Sequence, residues 1–184
     1  MQILTVSGSL RASSSNAALM EAAATLAPAG TELHLYQGLG DLPHFNPDLD
    51  NDDTVPQTVL HWRALLRQSA GVIFSVPEYA HGVPGVVKNA LDWVVGSGEF
   101  VGKPFTLFNA SPRGTYAQAS LTETLTVMSS KFVPEAALTL PPSSGKPPSA
   151  SQLAADPPLS AIIAAALASF ARACPTDIGT PIDS

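Results

Sequence analysis

One cysteine in 184 residues leaves Cys174 without an internal partner, so a disulfide framework is excluded, and no CxxC or Cys/His cluster is present to hold zinc. Charge is scarce as well. Only 13% of the chain is Asp, Glu, Lys or Arg, and nine basic against fifteen acidic residues (net charge −6) exclude the concentrated basic face that a nucleic-acid partner requires. No stretch reaches the ~20 apolar residues of a membrane span. The richest candidate, residues 159–171, is interrupted by Ser160 and Ser169 and stops at Arg172. The start, MQILTVSGSL, lacks a basic segment followed by a long apolar one, so the expectation is a cytoplasmic protein. Neither Gly-Lys-Ser/Thr nor GxGxxG occurs, which removes the commonest phosphate-loop signatures. The acid run at 48–53 has Asp53 where a calcium loop needs glycine and Val59 where it needs glutamate, so it reads as solvated acids ahead of a helix.

What the chain has is apolar periodicity. The 45% hydrophobic fraction exceeds what a small monomer needs and points to a second subunit covering some of it. Residues 2–6 form a β-branched apolar run that breaks at Ser7-Gly8-Ser9, and an Ala/Leu/Met pattern over 17–26 reads as a helix capped by Ser14, Ser15 or Asn16. A second strand is expected at 31–36 and an irregular stretch at 37–56. A helix then starts near Pro56, its face built from Val59, Leu60, Leu65 and Leu66. Strands at 72–76 and 103–110 alternate with helices at 86–95 and 118–131, a last strand occupies 132–140, and a Pro/Ser/Ala-rich surface segment fills 141–158. Leu159, Ile162, Ile163, Ala166, Leu167 and Phe170 fall on one stripe of a closing helix. Five strands alternating with five helices give a single α/β domain with a parallel, doubly wound sheet of order 2-1-3-4-5.

That order puts the carboxyl ends of strands one, three and four side by side, and three unusual loops leave those ends. The first, 8–16, offers serine hydroxyls, the Arg11 guanidinium and free amides at a helix start. This set suits a phosphate monoester, although a serine-rich turn would look the same. The second, 77–84, holds Glu78, Tyr79 and His81 between two prolines and two glycines, stiff enough to keep a shape for a flat ligand. No serine or cysteine nucleophile stands with Glu78 and His81, so acid/base hydrolysis is poorly supported. The third, 111–116, could close the far side of such a ligand with Ser111, Gly114 and Tyr116, and Arg113 could meet an anionic substrate; taken alone it is equally an ordinary strand-to-helix turn. Lys88 and Asp92 are most simply a helix pair, and Trp93 packs.

With Gly8-Ser-Leu-Arg11, Ser14 and Asn16, then Pro77-Glu-Tyr79, Gly82, Pro84-Gly85 and Lys88-Asn-Ala-Leu-Asp-Trp93, the chain resembles the NADPH-dependent FMN reductase family, which includes quinone, chromate and azo-dye reductases. Leu42-Pro43, Asn46 to Leu49 and the Ser111-Pro112 loop agree more loosely, and the likeness extends over about residues 1–130. The resemblance implies a flavodoxin-like three-layer sandwich in which Ser9, Arg11, Ser14, Ser15 and Asn16 hold the FMN phosphate. It also implies that Pro77, Glu78, Tyr79 and Ala80 run along the isoalloxazine, with Ser111 and Gly114 near the ring or ribityl chain. It further implies hydride transfer from NADPH (or NADH) through FMN to a small-molecule acceptor, no obligatory catalytic side chain, no metal, and a homodimer or homotetramer. A non-enzymatic flavodoxin-type electron carrier is the alternative. Ala80 stands where many relatives carry Asn, and His81 adds a ring at the mouth.

Overall fold

The computed structural model describes residues 1–11, 13–143 and 145–176. Its spine is a parallel sheet of β1 (Gln2–Ser7), β2 (Glu32–Tyr36), β3 (Gly71–Ser75), β4 (Pro104–Asn109) and β5 (Lys131–Phe132) in the order β2-β1-β3-β4-β5. The expected strand at 132–140 is split. Pro134, which has no amide to donate, opens a 3-10 turn over Pro134–Ala136, and the chain then rejoins β4 as β6 (Leu138–Thr139). The register of β1 on β3 runs from Ile3↔Gly71 to Ser7↔Ser75, which levels the two carboxyl ends.

Both faces of the sheet are covered, because side chains alternate along each strand and both sets here are apolar. Leu4, Val6, Val72, Phe74, Phe105 and Leu107 pack with α2 (Gln57–Gln68), α3 (Gly85–Asp92) and α4 (Thr115–Val127). Ile3, Ile73 and Phe108 pack on the other face with α1 (Ser15–Thr25), α5 (Ala150–Ala155) and α6 (Pro157–Ala173). Trp62 and Trp93 are fully buried and keep their ring N–H groups satisfied, donating to Ala90 O at 2.9 Å and Pro43 O at 2.8 Å.

The segment after β6 is more ordered than its composition suggests. Ser149 and Gln152 form a reciprocal capping box that starts α5, and Asp156 caps α6, which begins at Pro157, two residues ahead of the expected 159. The described residues therefore form six α-helices where five are expected. Helix three is shorter than expected, ending at Asp92, and helix four is shifted toward its start.

Candidate functional site

The three loops that leave β1, β3 and β4 do converge. Gly8 N–H donates to Ser75 O at 2.9 Å, joining the first loop to the end of β3. Only glycine fits there, since a Cβ would lie 2.8 Å from a methyl of Val87 and 2.9 Å from one of Val76. Ser15, Asn16, Pro77, Glu78, Ser111 and Gly114 line one cavity of about 680 Å³, in company with Asn109 and Arg113. Arg11 and Ser14, with Ser13, line an adjoining cavity of about 710 Å³ that shares Ser15, Pro147 and Pro148 with the first. Ser9, Tyr79 and Ala80 line neither cavity. The Ser9 hydroxyl accepts from Arg11 N–H at 3.3 Å and shapes the turn, while Tyr79 and Ala80 stand exposed at a loop tip.

Local chemistry explains how each loop is held. Ser14 is the N-cap of α1, its hydroxyl accepting from Ala17 N–H at 3.3 Å. Asn16 sits deeper: it is buried and accepts at 3.0 Å from the Ser75 hydroxyl, so its side chain couples α1 to the end of β3 as well as facing the cavity. The neighbouring Ser7 hydroxyl is buried with no partner among the described residues.

In the second loop, Tyr79 and Gly82 exchange two backbone hydrogen bonds around Ala80 (φ 49°) and His81 (φ 60°), a two-residue hairpin with both central residues left-handed. Such a turn prefers Asn-Gly, so an Ala-His pair carries strain that its surroundings must hold. Two contacts do so. The His81 ring stacks on Tyr116 with centroids 4.1 Å apart and planes 17° apart. Glu78 Oε2 accepts from Ala117 N–H at 2.9 Å, the third residue of α4, whose own N-cap, Gly114, offers no side chain. Glu78 thus serves as a cap supplied from another strand. The third loop is braced within itself by Ser111 N–H on Asn109 Oδ1 at 3.2 Å.

The Lys88-Asn-Ala-Leu-Asp-Trp93 stretch is scaffold. Asn89 grips residues 43–45 twice, donating to Pro43 O at 2.9 Å and accepting from Phe45 N–H at 2.8 Å, and Lys88 pairs with Asp92 on the surface.

The electrostatics are lopsided. Among the described residues, Arg63, Arg67 and Lys88 are ion-paired, whereas Arg11, Arg113 and Lys146, a third of the nine basic residues, line the two cavities and pair with no acid. The lining acids are Glu78, engaged with α4, and Glu21. The site is therefore positive within an acidic chain. Sequence reasoning missed Lys146 and the prolines beside it, because a Pro/Ser/Ala run carries no signal of what it will lie against; the Ser149-x-x-Gln152 spacing was the one available cue that a helix anchors it.

Cys174 is buried against Gly71 at the amino ends of the strands, the edge opposite the cavities. Burial pushes its thiol up to about 11, partly offset by nearby Lys103, whose own pKa burial lowers. It takes no part in the site. No helix among the described residues is long and apolar enough to cross a membrane.

Comparison with known proteins bears on the family and the fold. A quinone reductase of Escherichia coli (strain K12) is 35% identical over 94 residues, covering 51% of this chain and 50% of the relative. A quinone reductase of Pseudomonas putida is 36% identical over 113 residues, 60% of each. The chain thus spans about half to three-fifths of the length of these curated relatives. Among solved structures, FerB, a flavoenzyme NAD(P)H:(acceptor) oxidoreductase from Paracoccus denitrificans, is 30% identical with a TM-score of 0.74, covering 93% of this chain and 97% of that one. Flavodoxin 1 from Bacillus cereus, at 15% identity and TM-score 0.61, shares the fold. The family model for NADPH-dependent FMN reductase matches residues 1–144, and the chain belongs to that family.

Proposed function

We propose that this protein is an NAD(P)H-dependent, FMN-containing oxidoreductase that passes a hydride from NADPH or NADH to a quinone, a free flavin or a similar small acceptor. The observation that carries the reading is the meeting of the end of the first loop (Ser15, Asn16), the Glu78 loop and the Ser111 loop around one cavity of about 680 Å³, within the roughly 300–1,000 Å³ of cofactor sites, with Arg11 and Ser14 on the adjoining cavity. The donor set fits FMN. Ser14, Ser15, Arg11 and the first amides of α1 offer hydroxyl, guanidinium and N–H donors for a terminal phosphate, favoured further by the helix dipole, while Ser9 shapes the turn that carries Arg11. Asn16 stands where it can add its amide while bracing Ser75. Pro77 and Glu78 line the cavity and would present backbone along a planar ring system, with Tyr79 and Ala80 continuing the loop outside it and Ser111 and Gly114 across the cavity near the ring or the ribityl chain.

The flavin, when bound, accepts and releases the hydride; the protein sets orientation, hydrogen bonding and access. Glu78 holds the second loop to α4, so that the ring-facing backbone is fixed before ligand arrives. The stacked His81 and Tyr116 rings join the second loop to the start of α4, beside the cavity-lining Glu78 and Gly114, and we assign them to shaping acceptor entry. No side chain is required to hold or move a proton.

A homodimer or homotetramer is part of this reading, supported by the exposed apolar side chains Leu10, Tyr79 and Tyr116 on the loops around the cleft. A reducing, cytoplasmic setting suits the free, buried Cys174.

The test is the visible spectrum of protein purified without added cofactor, followed by mixing with NADPH and a quinone. Flavin absorbance and oxidation of many equivalents of NADPH are expected. Oxidation of a single equivalent would indicate an electron carrier, and a colourless protein that takes up no flavin would refute the assignment.

A further inference from the structure

We infer that Lys146 is a second cation for the flavin's terminal phosphate, lining with Arg11 the cavity at the start of α1; this rests on the FMN reading above. Lys146 lies just beyond the 1–144 stretch matched by the family model, so the contribution belongs to this chain's own continuation. It lines the same cavity as Arg11, Ser13, Ser14 and Ser15, and among the described residues it makes no ion pair.

Its position is fixed by the chain around it. Gly145 takes φ 102°, which turns the backbone at that point, and Pro147 and Pro148 stiffen the next two residues. Ser149 then opens α5 through the capping box, and α5 packs against α1, the helix whose amino end faces the cavity. Lys146 thus lies three residues before Ser149, which opens the helix packed on α1.

The charge balance calls for it. A phosphate monoester carries close to two negative charges near neutral pH, the first loop supplies only Arg11, and Glu21 on the same cavity wall subtracts from it. An ammonium group from the segment before α5 supplies the missing charge as a point donor, alongside the planar guanidinium of the first loop.

The experiment titrates wild type, Lys146→Ala and Lys146→Arg with FMN and with riboflavin, following flavin fluorescence at low and high salt. Lys146→Ala should weaken FMN about tenfold, leave riboflavin within about twofold, and show a shallower salt dependence. Lys146→Arg should stay near wild type. The Lys146 side chain is exposed, so its removal leaves the core untouched, and an unchanged riboflavin affinity reports the intact fold directly. Equal FMN affinity in wild type and Lys146→Ala, or equal weakening of both flavins, overturns the inference. A wild type that binds neither flavin overturns the FMN reading with it. A wild type that prefers FMN, loses that preference in Arg11→Ala and keeps it in Lys146→Ala, overturns the Lys146 role alone.

Discussion

Removing the Glu78 carboxylate is the most informative single perturbation, because one hydrogen bond joins the loop after β3 to the start of α4. In Glu78→Ala the Ala117 N–H loses its acceptor and α4, whose Gly114 N-cap has no side chain, starts uncapped. Losing a cap costs about 1 kcal/mol. Losing a negative charge at a helix N-terminus adds about 0.5 kcal/mol. For a half-buried carboxylate the sum is about 1.5 kcal/mol, or a fall in Tm of roughly 3–6 °C for a chain of this size. Glu78→Gln keeps an oxygen acceptor and surrenders only the charge, so it should lose about 0.5 kcal/mol. Urea and thermal unfolding of both variants, with flavin titration alongside, make the measurement. FMN affinity should fall in Glu78→Ala, because the second loop then keeps only the His81–Tyr116 stack to hold it to α4. If Glu78→Ala lies within about 0.3 kcal/mol of wild type, or Glu78→Gln loses more than Glu78→Ala, the carboxylate is not a cap and the argument fails.

Two further outcomes are expected. Ala80→Asn should gain about 0.5–1 kcal/mol in urea unfolding, since asparagine tolerates the left-handed φ of 49° that strains alanine; a loss would mean that something besides the backbone angle decides the position. Stability should decline as pH rises above about 9. Burial raises the Cys174 thiol from 9.0 to about 11, and burial, then Asp41, raises Tyr36 from 10.0 to about 12, so the unfolded chain sheds these protons first. Lys103, lowered by burial, works in the opposite sense below 10.5 and blunts the decline. Cys174→Ala should flatten the curve between pH 9 and 11, and an unchanged slope in urea midpoints across that range would refute the assignment.

The strand order, the two-sided core and the identity of the three site loops were legible because each rests on local pattern: continuous apolar runs for buried parallel strands, helical stripes between them, and loops too long and too specific for simple turns. The departures share a cause. Pro134 breaks the last strand because a missing amide matters only once a neighbouring strand asks for it. The helix at Ala150–Ala155 is held by its capping box and its packing on α1, and neither shows in a Pro/Ser/Ala composition.

Sequence alone determined that a phosphate-friendly serine-arginine turn and a stiff Glu-Tyr turn would leave adjacent strands. Only tertiary structure decided what their side chains do there. Glu78 caps a helix thirty-nine residues away, Asn16 braces Ser75 at the end of β3, and Lys146 comes to line a cavity with Arg11 and Ser14 from a segment with no motif of its own. Periodicity and turn chemistry are written over a few neighbouring residues, whereas a hydrogen bond or a charge facing a cavity depends on partners that come together only when distant segments pack.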